Sequence, residues 1–308
     1  MALSQLGKTD LRVHQLCLGG NVFGWSANTA ESHDVLNRYA DNGGNFIDTA
    51  DMYSEWKDGN VGGESETIIG EWMRSRSNRN DVVIATKVGQ SSRRPGLSAH
   101  NIHQSIDESL QRLGTDYVDI YYAHFDDLET PLTETLSAFH DLVVAGKVRY
   151  LGASNYTGER LAEALKISRE LGISEYVVVQ PLFNVIERSE YEGALQNLCV
   201  AENIACLPYY SVARGLLTGK YTRALGVESV RLEDIEETVD ERSWSIVDAV
   251  SALAATHSVS MSAVALAWSR AQAAVGSPIA SARIASQLPD LMQDVELTQS
   301  ELKALSAL

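Results

Sequence analysis

Four side chains in the first half of the sequence have the chemistry needed for proton transfer: Asp48, Tyr53, Lys87 and His124. A tyrosine has a reference pKa of about 10, so it transfers protons reluctantly at neutral pH. A nearby ammonium stabilises the phenolate and lowers that pKa, and a carboxylate paired with the ammonium keeps it from being an isolated buried charge. A neutral histidine can donate a hydrogen bond that orients a substrate oxygen. The set therefore suits proton transfer to or from a carbonyl or alcohol oxygen.

Each of these residues lies in or just after a short apolar run, and eight such runs alternate with amphipathic stretches. The runs are "HQLCLGG" (14–20), "NFIDTA" (45–50), "DVVIATK" (81–87), "YVDIYYAH" (117–124), "VRYLGAS" (148–154), "YVVVQ" (176–180), "IACLPYY" (204–210) and "SPIASA" (277–282). Most are rich in β-branched or aromatic residues and too short for helices, so they are typical of strands. The amphipathic stretch 98–114 has Ser98 to cap its start and Gly114 to cap its end.

This alternation predicts an α/β fold, a single (β/α)8 TIM barrel that spans residues 1–308 as one domain. The N-terminal "LSQLGKTDLRV" predicts a short β-hairpin that turns near Gly7 and caps the barrel floor. The main alternative is a doubly wound open sheet. That fold would place GxGxxG at the start of its first helix, and the sequence contains no such motif.

A parallel barrel brings the C-terminal ends of its strands to one rim, where the active sites of this fold lie. Ser154 and Asn155 follow the fifth run and Gln180 ends the sixth, so the same rim receives these residues too. Each polar residue alone has an ordinary interpretation, such as a structural histidine, a lysine that reaches solvent or an aspartate that caps a turn. Their coincidence at successive strand ends favours a functional site.

Proton transfer to a carbonyl oxygen needs a second partner, such as a hydride delivered to carbon, and a nicotinamide cofactor supplies one. The sequence "ARGLLTGKY" places Arg214 and Lys220 after strand seven, and "SARIASQL" places Arg283 at the end of strand eight. Barrels commonly bind phosphate in these two loops, and arginine matches the geometry of a phosphate. The cations therefore predict an anionic cofactor. Neither a nucleophilic serine or cysteine nor a metal cluster is needed, and no metal-ligand pattern is visible.

The composition narrows the class of protein further. The chain has 308 residues, a formal net charge of −16 and a pI near 4.8, which disfavours nucleic acids and anionic membranes as partners. No apolar stretch is long enough to span a membrane, and no signal peptide is visible. Three cysteines without a CxxC pair fit a reducing compartment. We expect a cytoplasmic protein with a small-molecule partner, as a monomer or homo-oligomer.

Several blocks of the sequence resemble the aldo-keto reductase superfamily, in order and across nearly the whole chain. The blocks are "NFIDTADMYS…GGESETIIGEWM", "IATKVG", "YYAHFDD", "GASNYT", "VVQPLFN", "PYYSVARGLLTGKY" and "SARIASQL". The likeness is to the bacterial branch similar to general-stress reductases and potassium-channel beta subunits. It implies a barrel that binds NADP(H) extended over the rim. It also implies a catalytic tetrad of Asp48, Tyr53, Lys87 and His124, with Tyr53 as the general acid in reduction and the general base in oxidation.

The resemblance also implies roles for cofactor-binding residues. Ser154, Asn155 and Gln180 match positions that hold the nicotinamide carboxamide, and Tyr209 matches the aromatic residue that stacks on the ring. The remaining matches fall in the pyrophosphate loop (Val212, Arg214, Leu216 and Lys220) and at the adenosine end (Ser281, Arg283 and Gln287). Where many relatives have an asparagine that contacts adenine, this chain has Leu291 with Asp290 beside it. That departure leaves NAD(H) possible, and Asp290 could contact a ribose or the adenine amine.

Four residues are predicted to line the substrate pocket: Val22, Trp25, Trp56 and Phe125. Three aromatic side chains make an apolar mouth compatible with aromatic aldehydes, ketones or a stacked sugar ring, although each could also be ordinary packing. Two alternatives to a carbonyl reductase stay open. One is a sugar or polyol dehydrogenase that works oxidatively with NAD(P)+. The other is a cofactor-binding regulatory subunit resembling channel beta subunits.

Overall fold

A computed structural model of the protein describes residues 3–223, 235 and 239–308. Its central element is an eight-stranded parallel sheet in the order β10-β3-β4-β5-β6-β7-β8-β9. A separate antiparallel pair, β1 (Ser4–Gln5) and β2 (Arg12–Val13), precedes it. The sheet consists of β3 (Cys17–Gly19), β4 (Phe46–Asp48), β5 (Val83–Val88), β6 (Val118–Ala123), β7 (Val148–Ser154), β8 (Tyr176–Gln180), β9 (Ala205–Cys206) and β10 (Ile279–Ala280). Each coincides with one of the eight runs predicted to be strands, and only β5 extends beyond its run, by Val88, so the (β/α)8 prediction is confirmed.

Helices follow the strands along the chain, as a barrel requires. They are α1 (Thr29–Asp41), α2 (Glu64–Arg76), α3 (Ala99–Leu113), α4 (Leu132–Val144), α5 (Gly158–Leu171), α6 (Ala194–Glu202), α7 (Glu241–His257), α8 (Met261–Arg270), α9 (Leu288–Met292) and α10 (Gln299–Ser306). The predicted caps of α3 are confirmed. The Ser98 side chain accepts a hydrogen bond from the Asn101 N–H, and Gly114 ends the helix in the left-handed region at φ 65°.

The gap between β9 and β10, the two ends of the sheet order, is bridged by backbone hydrogen bonds. The Ile279 N–H donates to the Pro208 carbonyl at 2.9 Å, and the Gly276 N–H donates to the Cys206 carbonyl at 2.9 Å. The parallel sheet therefore curls round far enough to bring all its C-terminal ends to one rim.

The N-terminal hairpin closes the opposite end of the barrel, as predicted. Leu6, Leu11 and Val13 are buried and belong to the same apolar cluster as Phe46 of β4 and Val83 of β5. Gly7 has φ 51°, and a Cβ there would lie 3.0 Å from the Ala205 nitrogen, so the turn needs glycine for both conformation and space. The hairpin therefore fills the floor of the barrel with apolar side chains, and the C-terminal rim lies at the opposite end.

Within the described ranges, no single helix is long and apolar enough to cross a membrane. The consecutive helices α7 and α8 satisfy the same criteria only when taken together, across a bend of 102°.

Candidate active site

The structure brings the four predicted proton-transfer residues together at the rim. Asp48 is the last residue of β4, Lys87 lies near the end of β5, and His124 directly follows β6. Tyr53 lies in the turn that follows β4, where its N–H donates to the Ala50 carbonyl at 3.3 Å. Parallel pairing aligns β4 with β5, since Asp48 lies beside Ala85 in the register. The side chains thus reach one place from three neighbouring strands.

Lys87 is the centre of this group. It is fully buried, and its ammonium donates to Asp48 Oδ2 at 2.6 Å, to the Thr49 carbonyl at 2.8 Å and to the Tyr53 hydroxyl at 2.8 Å. These three acceptors use all three donors of the ammonium. Burial lowers the pKa of Lys87, and the adjacent Asp48 carboxylate opposes that effect. The lysine is therefore held in a fixed orientation that directs one N–H at the tyrosine.

Asp48 is satisfied on both carboxylate oxygens. Besides Lys87, Oδ2 faces the Tyr53 hydroxyl at 3.4 Å, and Oδ1 accepts a hydrogen bond from Gln180 Nε2 at 2.9 Å. Asp48 and Gln180 are each only 2% exposed. A buried carboxylate needs such partners, because an unpaired charge in the interior is costly.

The Tyr53 hydroxyl is held in its protonated form in this structure. Burial is the largest cause that raises the pKa of Tyr53 well above 10, and the charge of Asp48 adds to it. The sequence predicted that the ammonium would lower this pKa, but burial and the neighbouring carboxylate outweigh that effect here. Tyr53 is therefore available as a proton donor at neutral pH.

His124 is buried beside this tyrosine, with ring centroids 6.0 Å apart. Burial and the charge of Lys87 hold the pKa of His124 well below 6.5, so the imidazole is neutral at physiological pH. Within the part of the chain that the structure describes, its Nδ1 makes no hydrogen bond. A neutral, rigidly placed imidazole can orient an oxygen without exchanging a proton with solvent.

The residues predicted to hold a carboxamide form a second network next to His124. Asn155 is in the left-handed region at φ 58°, and its Nδ2 donates to the His124 carbonyl and to Ser154 Oγ, both at 3.0 Å. Its Oδ1 accepts a hydrogen bond from the Tyr209 hydroxyl at 2.9 Å. The Ser154 hydroxyl in turn donates to the Gln180 carbonyl at 2.8 Å. The structure therefore places these side chains in one hydrogen-bonded cluster.

The predicted pyrophosphate loop has an unusual backbone. Ala213, Arg214 and Gly215 all have positive φ, at 46°, 54° and 99°. The Val212 carbonyl accepts hydrogen bonds from the N–H groups of Gly215 and Leu217, while Leu216 is buried. Successive N–H groups in left-handed turns form concavities that bind anions.

Two cations of this loop have neighbours within the protein. Arg214 Nη1 donates to Glu187 Oε1 at 2.7 Å, and its guanidinium lies 4.4 Å from the ring centroid of Tyr210. Lys220 lies 4.6 Å from the ring centroid of Tyr221. Arg214 is therefore already paired with a carboxylate, a contact that the sequence did not predict.

The predicted adenosine end lies after β10. The Arg283 N–H donates to Gln287 Oε1 at 2.8 Å, and the exposed Arg283 guanidinium makes no hydrogen bond or ion pair with the described part of the chain. Ser281 Oγ donates to Asn21 Oδ1 at 2.6 Å. Leu291, which replaces the expected asparagine, is only 5% exposed in the core, whereas Asp290 is exposed. Leu291 thus serves packing.

Aromatic side chains extend from the tetrad toward solvent. Trp56 lies 6.0 Å from Tyr53 and 5.6 Å from Trp25, measured between ring centroids, and Phe125 lies 5.8 Å from the His124 ring. Trp56 and Phe125 are 44% and 42% exposed. Three of the four predicted pocket residues therefore surround the tyrosine and histidine. Val22 differs, because its side chain is buried in the main apolar core.

Two buried acidic residues behind the lysine, Asp51 and Glu66, were not among the site residues predicted from the sequence. Asp51 is 6% exposed, and its N–H donates to the Lys87 carbonyl at 3.2 Å. Glu66 is fully buried and accepts hydrogen bonds from Thr86 Oγ1 at 2.5 Å and from Arg112 Nε at 2.7 Å. Burial and the charge of Glu66 raise the pKa of Asp51 well above 3.8. The sequence signal was a second carboxylate in the same block as Asp48.

The fold and this rim define the class of protein: a parallel α/β barrel with buried polar chemistry at the C-terminal ends of its strands. The model of the Aldo/keto reductase family matches residues 15–308, and the chain belongs to that family. Membership in this family supports an oxidoreductase with a small-molecule carbonyl substrate.

Three relatives illustrate the range of the family. The chain is 30% identical to a probable voltage-gated potassium channel subunit beta of Oryza sativa, with 96% of this chain and 92% of the relative covered. It is 31% identical to the uncharacterized oxidoreductase YrpG of Bacillus subtilis, over 97% and 92% of the two chains. It is 34% identical to norsolorinic acid reductase B of Aspergillus parasiticus over 67% of this chain, which spans 56% of that protein.

Proposed function

We propose that the protein reduces aldehydes or ketones to alcohols, and catalyses the reverse oxidation, with NADP(H) as the preferred cofactor. The observation that carries the proposal is the buried contact of Lys87 with both Asp48 and the Tyr53 hydroxyl. The arrangement places the Tyr53 hydroxyl, whose pKa is well above 10, against the Lys87 ammonium. The ammonium can stabilise the phenolate that forms transiently when Tyr53 gives up its proton. A purely structural lysine would have no reason to direct a donor at a phenol on the open rim.

The residues of this chain divide the chemistry as follows. When bound, a reduced nicotinamide would supply a hydride to the carbonyl carbon. Tyr53 donates its proton to the carbonyl oxygen, and Lys87 stabilises the phenolate left behind. Asp48 keeps Lys87 charged and in place. Neutral His124 orients the substrate oxygen, and in the oxidative direction Tyr53 accepts the proton again.

The rim contains groups that fit each part of a nicotinamide dinucleotide. Ser154, Asn155 and Gln180 have hydroxyl and amide groups for a carboxamide. The family resemblance assigns the pyrophosphate to the positive-φ turn at Ala213–Gly215, where the N–H groups of Ala213 and Gly215 already donate to the Tyr210 and Val212 carbonyls. Arg283 has an exposed guanidinium that suits the 2′-phosphate of NADP(H). The asparagine that contacts adenine in many relatives is replaced here by Leu291, which is buried, and the exposed residue beside it is Asp290. Since Asp290 could contact a ribose or the adenine amine, NAD(H) is the alternative cofactor.

The aromatic mouth supports an uncharged, ring-bearing substrate. Trp25, Trp56 and Phe125 flank the tetrad, so an aromatic aldehyde, a ketone or a sugar ring could stack there while its oxygen reaches Tyr53. A sugar or polyol dehydrogenase would use the same residues in the oxidative direction, and the preferred cofactor would distinguish the two.

A regulatory subunit is the alternative of a different class, since one relative is named as a probable channel beta subunit. The hydrogen-bonded group of Asp48, Lys87 and Tyr53, with the His124 ring beside it, favours turnover over cofactor binding alone. The proposal also includes a cytoplasmic location for one domain over residues 1–308, supported by the three buried, unpaired cysteines.

The decisive experiment assays a panel of aldehydes, ketones, sugars and alcohols with NADPH, NADH, NADP+ and NAD+, following the absorbance of the reduced nicotinamide. Tyr53→Phe should abolish turnover while cofactor binding stays nearly unchanged, because only the transferable proton is removed. Tyr150→Phe is the matched control, since its hydroxyl bonds to Asp10 at the barrel floor. Most activity retained in Tyr53→Phe would overturn the assignment.

A further inference from the structure

The side chain of Gln180 crosses the barrel mouth to reach Asp48. The two residues end β8 and β4, which are separated by β5, β6 and β7 in the sheet order. Gln180 Nε2 donates to Asp48 Oδ1 at 2.9 Å, and both residues are 2% exposed. Since an ionised carboxylate only accepts hydrogen bonds, the amide nitrogen must face it and the amide oxygen is directed away.

This contact supports the charge of the ion pair. Asp48 Oδ2 is used by Lys87 and faces Tyr53, so Oδ1 depends on Gln180 among the described residues. A hydrogen bond to an ionised group is stronger than one between two neutral groups, and it favours the charged form of the group that accepts it. Without that donor, the carboxylate would be half-satisfied in a site with almost no access to water.

The backbone of Gln180 belongs to the other network of the rim. Its carbonyl accepts hydrogen bonds from Ser154 Oγ at 2.8 Å and from the Asn155 N–H at 3.3 Å. Asn155 in turn bonds to the His124 carbonyl. Gln180 therefore links the candidate carboxamide-binding cluster to the candidate proton-transfer group through its own side chain.

We propose that Gln180 is a positioning residue for proton transfer: its amide holds the Asp48 carboxylate in the orientation that presents Oδ2 to the Lys87 ammonium beside Tyr53. This role comes in addition to the carboxamide contact that family resemblance implies for Gln180. It rests on the proposed function for its catalytic meaning, but the support of the Asp48–Lys87 pair can be measured without turnover.

The test replaces Gln180 by methionine, which has a similar length and no donor. In the protein without cofactor, the Asp48 carboxylate of this variant is free to turn away from Lys87, so we expect the pKa of the Lys87 ammonium, already lowered by burial, to fall further. NMR of isotope-labelled lysine measures the titration, and loss of a signal in Lys87→Met assigns it. The other titratable groups around Lys87 and Asp48 keep their identity in the variant: Cys17, Asp51, Tyr53, Tyr122 and His124.

Two further variants keep the test decisive. Gln180→Asn retains an amide that is shorter by one methylene, about 1.5 Å, so it cannot span the same gap and should shift Lys87 in the same direction. It provides the measurement if Gln180→Met does not fold. Gln272→Met is the matched control, because this glutamine bonds to the Trp268 carbonyl at the end of α8 and should leave the Lys87 titration unchanged.

Turnover gives the second measurement. At saturating cofactor, the pH profile of kcat in Gln180→Met should move with the Lys87 pKa, whereas a residue that only binds the carboxamide would raise the KM for the cofactor. An unchanged Lys87 titration refutes the inference even if activity is lost. A shifted titration in a protein whose wild type turns over no carbonyl would support the inference on Asp48 and refute the proposed function.

Discussion

The buried pair of Asp48 and Lys87 makes a sharp prediction about stability. Lys87→Met removes the ammonium and leaves the Asp48 carboxylate with two neutral hydrogen-bond donors among the described residues, the Gln180 amide and the Tyr53 hydroxyl. Asp48→Asn instead leaves the ammonium with only neutral acceptors, the Thr49 carbonyl and the Tyr53 hydroxyl. Each single variant therefore contains a buried charge that has lost its counter-charge, and the double variant contains neither charge.

The expected magnitudes follow from burial. The side chains of Lys87 and Asp48 are 0% and 3% exposed, so water cannot take over from a missing partner. Removing one member of a buried ion pair typically costs about 3–5 kcal/mol, whereas replacing both members is often close to neutral. We expect each single variant to lose about 3 kcal/mol of unfolding free energy, and the double variant to lose clearly less than the sum, with a coupling of about 3 kcal/mol.

Urea denaturation followed by fluorescence and circular dichroism measures the four free energies, and coincident transitions check that unfolding is two-state. The same cycle on Lys147 and Asp107 is the matched control, since this pair has the same chemistry but is 35% and 59% exposed. Its coupling should be at most about 1 kcal/mol. If the losses at Asp48 and Lys87 add within about 0.5 kcal/mol, the reasoning from buried charge is refuted.

Three further predictions concern charge at other positions. Arg283→Ala should raise the KM for NADPH by about tenfold and change that for NADH little, because the 2′-phosphate loses a charged partner; equal effects in steady-state assays would mean that Arg283 does not contact it. Asp51→Asn should stabilise the protein at neutral pH. The folded-state pKa of Asp51 is raised above its unfolded value, so stability falls as pH rises through that interval, by about 1.4 kcal/mol per unit of raised pKa. Urea titrations at low and neutral pH measure this, and an equal gain at both would contradict it. His124 should add no inflection to the kcat profile between about pH 6 and 8, because its pKa lies well below that range; an inflection abolished in His124→Asn would show otherwise.

The positions of the strand-end residues could be predicted because a parallel barrel fixes them. Lys87, His124 and Gln180 end apolar runs, and the geometry of the fold takes every such end to the same rim. The caps of α3 were equally predictable, since Ser98 and Gly114 act through local backbone chemistry. Local pattern and fold topology together were sufficient for these features.

Contacts that depend on side-chain length across the barrel could not be predicted. Gln180 and Asp48 are 132 residues apart in sequence, and no periodic pattern indicates that the Gln180 amide reaches the Asp48 carboxylate. The pairing of Arg214 with Glu187 has the same origin, because it depends on how the loop after β9 folds back. The direction of the Tyr53 pKa also depended on burial, which outweighs the nearby ammonium and which residue type alone does not reveal.

Two buried carboxylates of the barrel, Asp119 and Asp48, differ in the groups to which they are bonded. At the barrel floor, Asp119 is 2% exposed and accepts hydrogen bonds from Arg79, Arg149 and the Ile84 N–H, all of which are structural groups. At the rim, the chain of bonds from Asp48 passes through Lys87 and ends on Tyr53, whose ring faces the open aromatic mouth. Since a buried ion pair adds little net stability over apolar residues, the rim pair is not explained by folding. The variant that combines Asp48→Asn with Lys87→Met is therefore expected to be a folded barrel without turnover.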